Sequence, residues 1–254
     1  MRALLLIAAA VLSAAEQSLR RKGIGLLARA QRHTLRICNA YPSGLPLSVA
    51  TSEGVAVTED GPLQYQQCDD FRVALKAGNR LDFNVGDQRA GTFTVSDLPS
   101  HDAILLLVIY RHDTESTAAS FESHVFANLL NAQLAVIDTY KGREKSVLKI
   151  EDAPRGESDK HGFETLRFDT VVAVNQGQYG LKLVGEKGKV LAEQQFGALN
   201  RESYVILRTG VEDASNKYKA SLVVFPKTDI LDHAKAGAAF QGGLLALVLA
   251  ALLR

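Results

Sequence analysis

From Thr34 onward apolar and polar residues alternate with a period of two, a pattern that suits strands with one buried face. Leu35 and Ile37 begin it; Leu45, Leu47 and Val49 continue it, as do Phe71, Val73, Leu75 and Leu81, Phe83, Val85. Gly, Pro, Asn and Asp bound these runs, as strand ends require. Residues 103–110 are continuously apolar around Ile104–Ile109 and predict a central strand covered on both faces. The only weak helical candidate between Thr34 and Pro226 is 121–130.

The pattern also recurs. Leu35-Arg36-Ile37-Cys38-Asn39-Ala40-Tyr41 lines up with Leu134-Ala135-Val136-Ile137-Asp138-Thr139-Tyr140. Residues 71–78 match 170–177, and Leu81-Asp82-Phe83 matches Leu181-Lys182-Leu183, at an offset of about 100 residues. Glycine-rich turns fall at 86–91 and 185–189, where a hairpin uses positive φ. The expected fold is all-β, as two tandem small antiparallel β-sandwich units over 34–113 and 120–228. The polar stretch 111–120 would join them, and the polar loop 153–162 would be an excursion within the second.

The run Leu35-Arg36-Ile37-Cys38-Asn39-Ala40, then Asp70-Phe71-Arg72, Gly78 and Val85-Gly86, resembles the AlgF-like family of periplasmic alginate O-acetylation proteins. It is similar also to the small secreted β-sandwich modules of the DUF4397 class. Tyr179-Gly180-Leu181-Lys182-Leu183 and Val190-Leu191 extend the likeness into the second half. The resemblance implies tandem β units and an accessory role in extracellular polysaccharide modification. The two cysteines, the basic segment and the apolar C-terminus depart from that family's pattern.

Both ends read as targeting segments. Residues 1–15 carry a basic start, an apolar stretch and Ser13-Ala14-Ala15, the pattern of a secretory signal peptide. Residues 16–33 hold Arg20, Arg21, Lys22, Arg29 and Arg32 against one acid, and read as a basic pro-segment, a solvated helix or a transit element to a complex plastid. At 236–254 small residues precede an apolar tail, which fits a lipid-anchor signal or a membrane helix and would place the protein at a membrane. The predicted destination is the secretory pathway, extracellular or at the cell surface, with the plastid as alternative.

In an oxidising compartment the two cysteines, Cys38 and Cys68, are expected to pair. The loop they would close, about 30 residues, corresponds to roughly 3–4 kcal/mol in the loop-entropy account. A balance of 29 basic against 28 acidic residues gives no field that would recruit nucleic acid.

Candidates for chemistry are few. His101-Asp102 and His112-Asp113 bracket the apolar run, which would hold them roughly 30 Å apart in an extended strand. Ser123, His124 and Asp138 have the residue types of a hydrolytic triad, but adjacent strand residues point to opposite faces. Asp69-Asp70, Glu59-Asp60 and Glu151-Asp152 supply oxygens that calcium could use. No cofactor, catalytic residue or metal site is predicted. The expected function is non-enzymatic binding of a protein or glycan at a cell surface. The alternatives are an accessory factor in polysaccharide modification or a structural subunit of a plastid-lumen membrane complex.

Overall fold

The computed structural model describes residues 33–126, 130–152, 162–215 and 217–228. The signal peptide (1–15), most of the basic segment (16–33) and the apolar tail (236–254) expected from the sequence lie outside the described residues, apart from His33. Among the described residues no helix is long and apolar enough to cross a membrane. The described residues form one compact unit.

The fold is all-β. Its strands are β1 (Thr34–Asn39), β2 (Leu47–Thr51), β3 (Cys68–Arg72), β4 (Arg80–Val85), β5 (Gln88–Thr94), β6 (Ile104–Arg111), β7 (Ala119–Phe126) and β8 (Ala132–Asp138). They continue as β9 (Ser146–Asp152), β10 (Glu164–Leu166), β11 (Thr170–Val174), β12 (Gly177–Gly185), β13 (Val190–Ala198), β14 (Ser203–Thr209) and β15 (Ser221–Phe225).

Four sheets result. Two inner sheets have the orders β3-β1-β6-β7 and β11-β8-β14-β15. Two outer sheets have the orders β2-β4-β5 and β10-β9-β12-β13. Alternation decides what lies between them. Leu35 and Ile37 of β1 and Leu105 and Leu107 of β6 face Leu47, Val49, Leu81 and Phe83 of the first outer sheet. Leu134, Val136, Tyr204 and Ile206 face Leu148, Ile150, Leu181 and Leu183 of the second. The opposite faces of the inner sheets meet each other through Leu106, Val108, Ala135, Ile137, Val205 and Leu207. Strands β6, β8 and β14 are therefore buried on both faces, which explains their unbroken apolar runs. Each large side chain so buried contributes about 1.5–3 kcal/mol.

Two features differ from the simplest reading of the sequence. Each inner sheet contains one parallel pair, β1 with β6 and β8 with β14, among otherwise antiparallel neighbours. Between β1 and β6 the chain crosses to the outer sheet twice, so it re-enters beside β1 running in the same direction. The segment 111–120, expected as a joint, is largely the turn of the β6–β7 hairpin, closed by His112 N–H donating to Ala118 O at 2.9 Å. Strand β7 consequently pairs with β6, and its Phe121 and Val125 pack into the first core. Residues 121–126, the first part of the weak helical candidate 121–130, are therefore strand.

Positions matched in the sequence perform matching local tasks. Asn39 Oδ1 accepts the Tyr41 N–H at 3.0 Å, and Asp138 Oδ1 accepts the Tyr140 N–H at 3.0 Å. These side-chain turns end β1 and β8 in the same way.

Two polar links sit on the face of β1 turned toward the second inner sheet. Cys38 and Cys68 form a disulfide between directly opposed positions of β1 and β3. Two residues along, Arg36 donates through Nε and Nη2 to Asp70 at 2.7 and 2.8 Å. Its Nη1 donates to the carbonyl of Ser203 at the start of β14, and its guanidinium lies 4.9 Å from the centre of the Phe225 ring. Arg36 is 2% exposed. One buried cation therefore ties β3, β1, β14 and β15 together.

Candidate binding face

The clearest unspent surface is the outer face of the sheet β10-β9-β12-β13. Inward positions of β9 and β12 fill the second core, so the alternate residues must face out. Cross-strand register arranges them in rows. Val147, Val184 and Val190 form the first row. Lys149, Lys182 and Glu193 form the second, with Thr165 beyond Lys149. Glu151, Gly180 and Gln195 form the third.

The first row is apolar and open: Val147 is 44% exposed and Val190 46%. In the second row two lysines stand directly opposite each other, an arrangement that repels in an isolated sheet. Local groups relieve part of it. Lys182 Nζ reaches Glu151 Oε1 at 3.3 Å and Glu193 Oε1 at 3.9 Å. The exposed ring of Phe163 takes Lys182 Nζ at 4.6 Å and Lys149 Nζ at 5.9 Å from its centre. A Cβ at position 180 would stand 3.2 Å from Glu151 Oε1, so glycine there lets Glu151 lean across to Lys182.

The corresponding face of the first outer sheet is built differently. Asp82 accepts from Arg89 Nη2 at 2.7 Å, from Thr92 Oγ1 at 2.5 Å and from Ser52 Oγ at 3.3 Å. Donation from Thr92, followed by the nearby Arg89 and Ser52, holds the Asp82 carboxyl below its usual range. On that face Asp82 gathers Arg89, Thr92 and Ser52 around one carboxylate; the second presents valines and unevenly balanced lysines to solvent.

No known protein family matches this chain, and no curated protein does.

The residues considered for chemistry are dispersed. His101 lies at an exposed bend, its Nδ1 3.2 Å from the Asp102 carbonyl. His112 Nδ1 is 2.9 Å from Ser120 Oγ across the β6–β7 hairpin, and Asp113 caps the following turn by accepting from Glu115 and Ser116 N–H groups. Ser123 and His124 are consecutive in β7, and His124 packs edge-on against Phe126 with ring centres 4.9 Å apart. Asp138 is held by Arg208 Nη1 at 3.0 Å. Asp138 is thus committed to Arg208 and His124 packs on Phe126, while Ser123, its neighbour in β7, points to the other face of the strand. Of the acidic pairs, Asp70 serves Arg36 and Glu151 serves Lys182. Among the described residues no group of three or more His, Cys, Asp or Glu side chains is gathered as metal ligands would be.

A cleft of about 560 Å³ is lined by His112 and Asp113 with Lys141, Arg143 and Glu212, and a small one of about 180 Å³ by Ser123 and His124 with Asp97; two others hold none of the groups considered. One of about 620 Å³ opens beside Tyr41, Leu45, Arg89 and Arg111. Another of about 450 Å³ runs between Tyr65–Cys68 and β15. The valine and lysine rows have no sequence signature beyond ordinary strand alternation. Only the register of three strands puts Val147, Val184 and Val190 side by side.

His124 offers a pH prediction. Burial lowers its pKa below the usual histidine value of 6.5. As pH falls through about 6.5 the unfolded chain takes up this proton before the folded one does. Stability should therefore decline from about pH 6.5 downward until the folded-state pKa is passed. The thermal midpoint of the wild type should fall more steeply between about pH 7 and 5 than that of His124→Gln. Equal slopes would show that His124 does not contribute. Carboxylates held low by hydrogen bonds, such as Asp113 and Glu212, act in the lower range, from about pH 5 downward.

Proposed function

We propose that this is a non-enzymatic, secreted or cell-surface protein of two tandem β-sandwich units, and that the outer face of β9, β12 and β13 binds an acidic protein partner. The carrying observation is the contrast between the two outer faces. One centres on Asp82 and the donors Arg89 and Thr92, and the other leaves a valine row beside two opposed lysines. An apolar strip rimmed by charge is the make-up of a protein interface. An acidic partner would relieve the Lys149–Lys182 repulsion as it covers the valines.

The disulfide agrees with an oxidising compartment. The matching orders of the inner sheets, with Asn39 and Asp138 in matching turns, support the tandem reading. The placement of Ser123 and His124 on opposite faces of β7, with Asp138 paired to Arg208, supports a role without catalysis.

A second reading has its own observation. Paired ammonium groups fit the carboxylates of an acidic polysaccharide, the class that the resemblance to alginate-modifying proteins brings in. It is less favoured because the exposed Phe163 ring already engages lysines, leaving less of it as a stacking platform.

A photo-reactive residue at Val190 in the native host distinguishes the readings. The expected result is one specific protein adduct, lost with Val147→Glu and absent when the probe is placed at Arg80 on the other outer face. Saturable binding to polyuronate, lost in Lys149→Glu/Lys182→Glu and without a protein adduct, would replace the protein by a glycan. Indifference to all these changes would remove the face from consideration. Acyl transfer that depends on His124 or His101 would overturn the non-enzymatic reading.

A further inference from the structure

We infer that two copies of this chain associate edge to edge through β11, pairing antiparallel about Val172 and joining two four-stranded inner sheets into one. The argument starts from the edges that the fold leaves. A free strand edge offers unpaired N–H and C=O groups to any other strand, and proteins normally guard it with charge, proline, irregularity or cover. Strand β3 carries Asp69, Asp70 and Arg72, and β7 carries Glu122 and His124. The outer edge of β2 is covered by bridges from Leu47 to Leu63 and from Ala50 to Ala56. Strand β5 carries Arg89, β10 has three residues and includes Glu164, and β13 carries Glu193 and a register shift. Strand β15 is uncharged, but it runs beside β13 and is followed at once by Pro226.

Strand β11 has none of these guards. Its residues, Thr170-Val171-Val172-Ala173-Val174, include no charge and no proline, and three of the five are valine. It is the terminal strand of its sheet, and among the described residues no strand or bridge takes its outer edge. Val172 and Val174 pack toward the second core, so Val171 and Ala173 face away from it; Val171 is 41% exposed. The strand that occupies the same place in the other inner sheet is β3, which is charged and tied by the disulfide. The contrast singles out β11.

A second copy fits this edge better than an arbitrary strand because the sequence is self-complementary about Val172. Antiparallel pairing there sets Val171 opposite Ala173 of the second copy, large against small, and Thr170 opposite Val174. No charge meets a like charge. The first acid outside the strand, Asp169, falls opposite Asn175 of the second copy, whose amide can donate to it. A two-fold axis through Val172 makes both halves of the contact identical, as a closed dimer requires. The strand is short, so the association belongs to the weak, concentration-dependent class. It lies in a different sheet from the candidate binding face and does not depend on that reading.

Sedimentation equilibrium of the full chain tests it. The weight-average mass of the wild type should climb from one chain toward two as concentration rises. Val171→Lys with Ala173→Lys places lysine opposite lysine twice and should weaken the dimer by about tenfold or more. Val171→Lys with Ala173→Glu places lysine opposite glutamate in the same register and should restore it. Both positions are exposed, so these changes leave the core intact, and a circular dichroism spectrum checks that. A wild type that stays monomeric overturns the proposal. So does association that is equal in all three proteins, which would locate the contact elsewhere, for instance in the apolar tail that they share.

Discussion

Asp70→Ala should cost the protein about 3 kcal/mol of stability, because it strands a buried guanidinium. Arg36 is 2% exposed and turned into the layer between the inner sheets, where water cannot solvate its charge. Asp70 supplies both carboxylate oxygens, at 2.7 and 2.8 Å, and with them gone the partners left among the described residues are the Ser203 carbonyl and the Phe225 ring. Removing one member of a buried pair typically costs about 3–5 kcal/mol, and the lower end applies because the Asp70 side chain is 37% exposed. The double variant Arg36→Leu/Asp70→Leu should lie much closer to the wild type, since no unpaired charge is left. Urea unfolding of the three proteins measures this directly. If the single variant is as stable as the double, the pair is not what Arg36 depends on.

Loss of the disulfide is the second large effect. Cys38→Ala/Cys68→Ala should lower stability by about 2–4 kcal/mol. The bond closes a loop with a sequence separation of 30, which holds β2 and the segment covering its edge. In the unfolded chain that loop would otherwise sample freely, so most of the effect arises there. Reductant should lower the thermal midpoint of the wild type to nearly that of the variant and leave the variant unchanged. An equal response of both proteins would place the effect of reductant elsewhere. The consequence for the fold is local, because β3 holds its sheet only through β1. Hydrogen exchange should therefore rise first at β3, where the bond and the Arg36–Asp70 pair are the cross-links.

The strands could be read in advance wherever a single local rule sufficed. Alternation at Leu35 and Ile37, at Leu81 and Phe83, and at Leu181 and Leu183 needs only one buried face, and each became a core strand. The unbroken run Ile104–Ile109 implied cover on both sides, and β6 has it. The pairing of Cys38 with Cys68 needed only an even count of cysteines and an oxidising setting. Strand β7 was harder. Its burial is partial along most of its length, and hairpin pairing with β6 places it, which no property of residues 119–126 announces. The candidate face was not legible either. Val147, Val184 and Val190 are dispersed in the chain, and each looks like an ordinary strand valine until register makes them neighbours.

The sequence by itself determined that this chain would be built from strands, roughly where they lie, and which residues of each turn inward. Those properties follow from hydrophobic alternation and turn chemistry within a few residues. The tertiary structure decided the parallel pairs β1–β6 and β8–β14, the contact between the inner sheets around Arg36, and which strand edges and faces stay open. These depend on how far the chain travels between layers and on the side chains it meets there. Arg36 shows the division. In sequence it reads as the polar residue of an alternating strand, to be turned to solvent. Burial between two sheets makes it a cation that must be paired, and Asp70 and Ser203 meet that need only once distant strands are brought together.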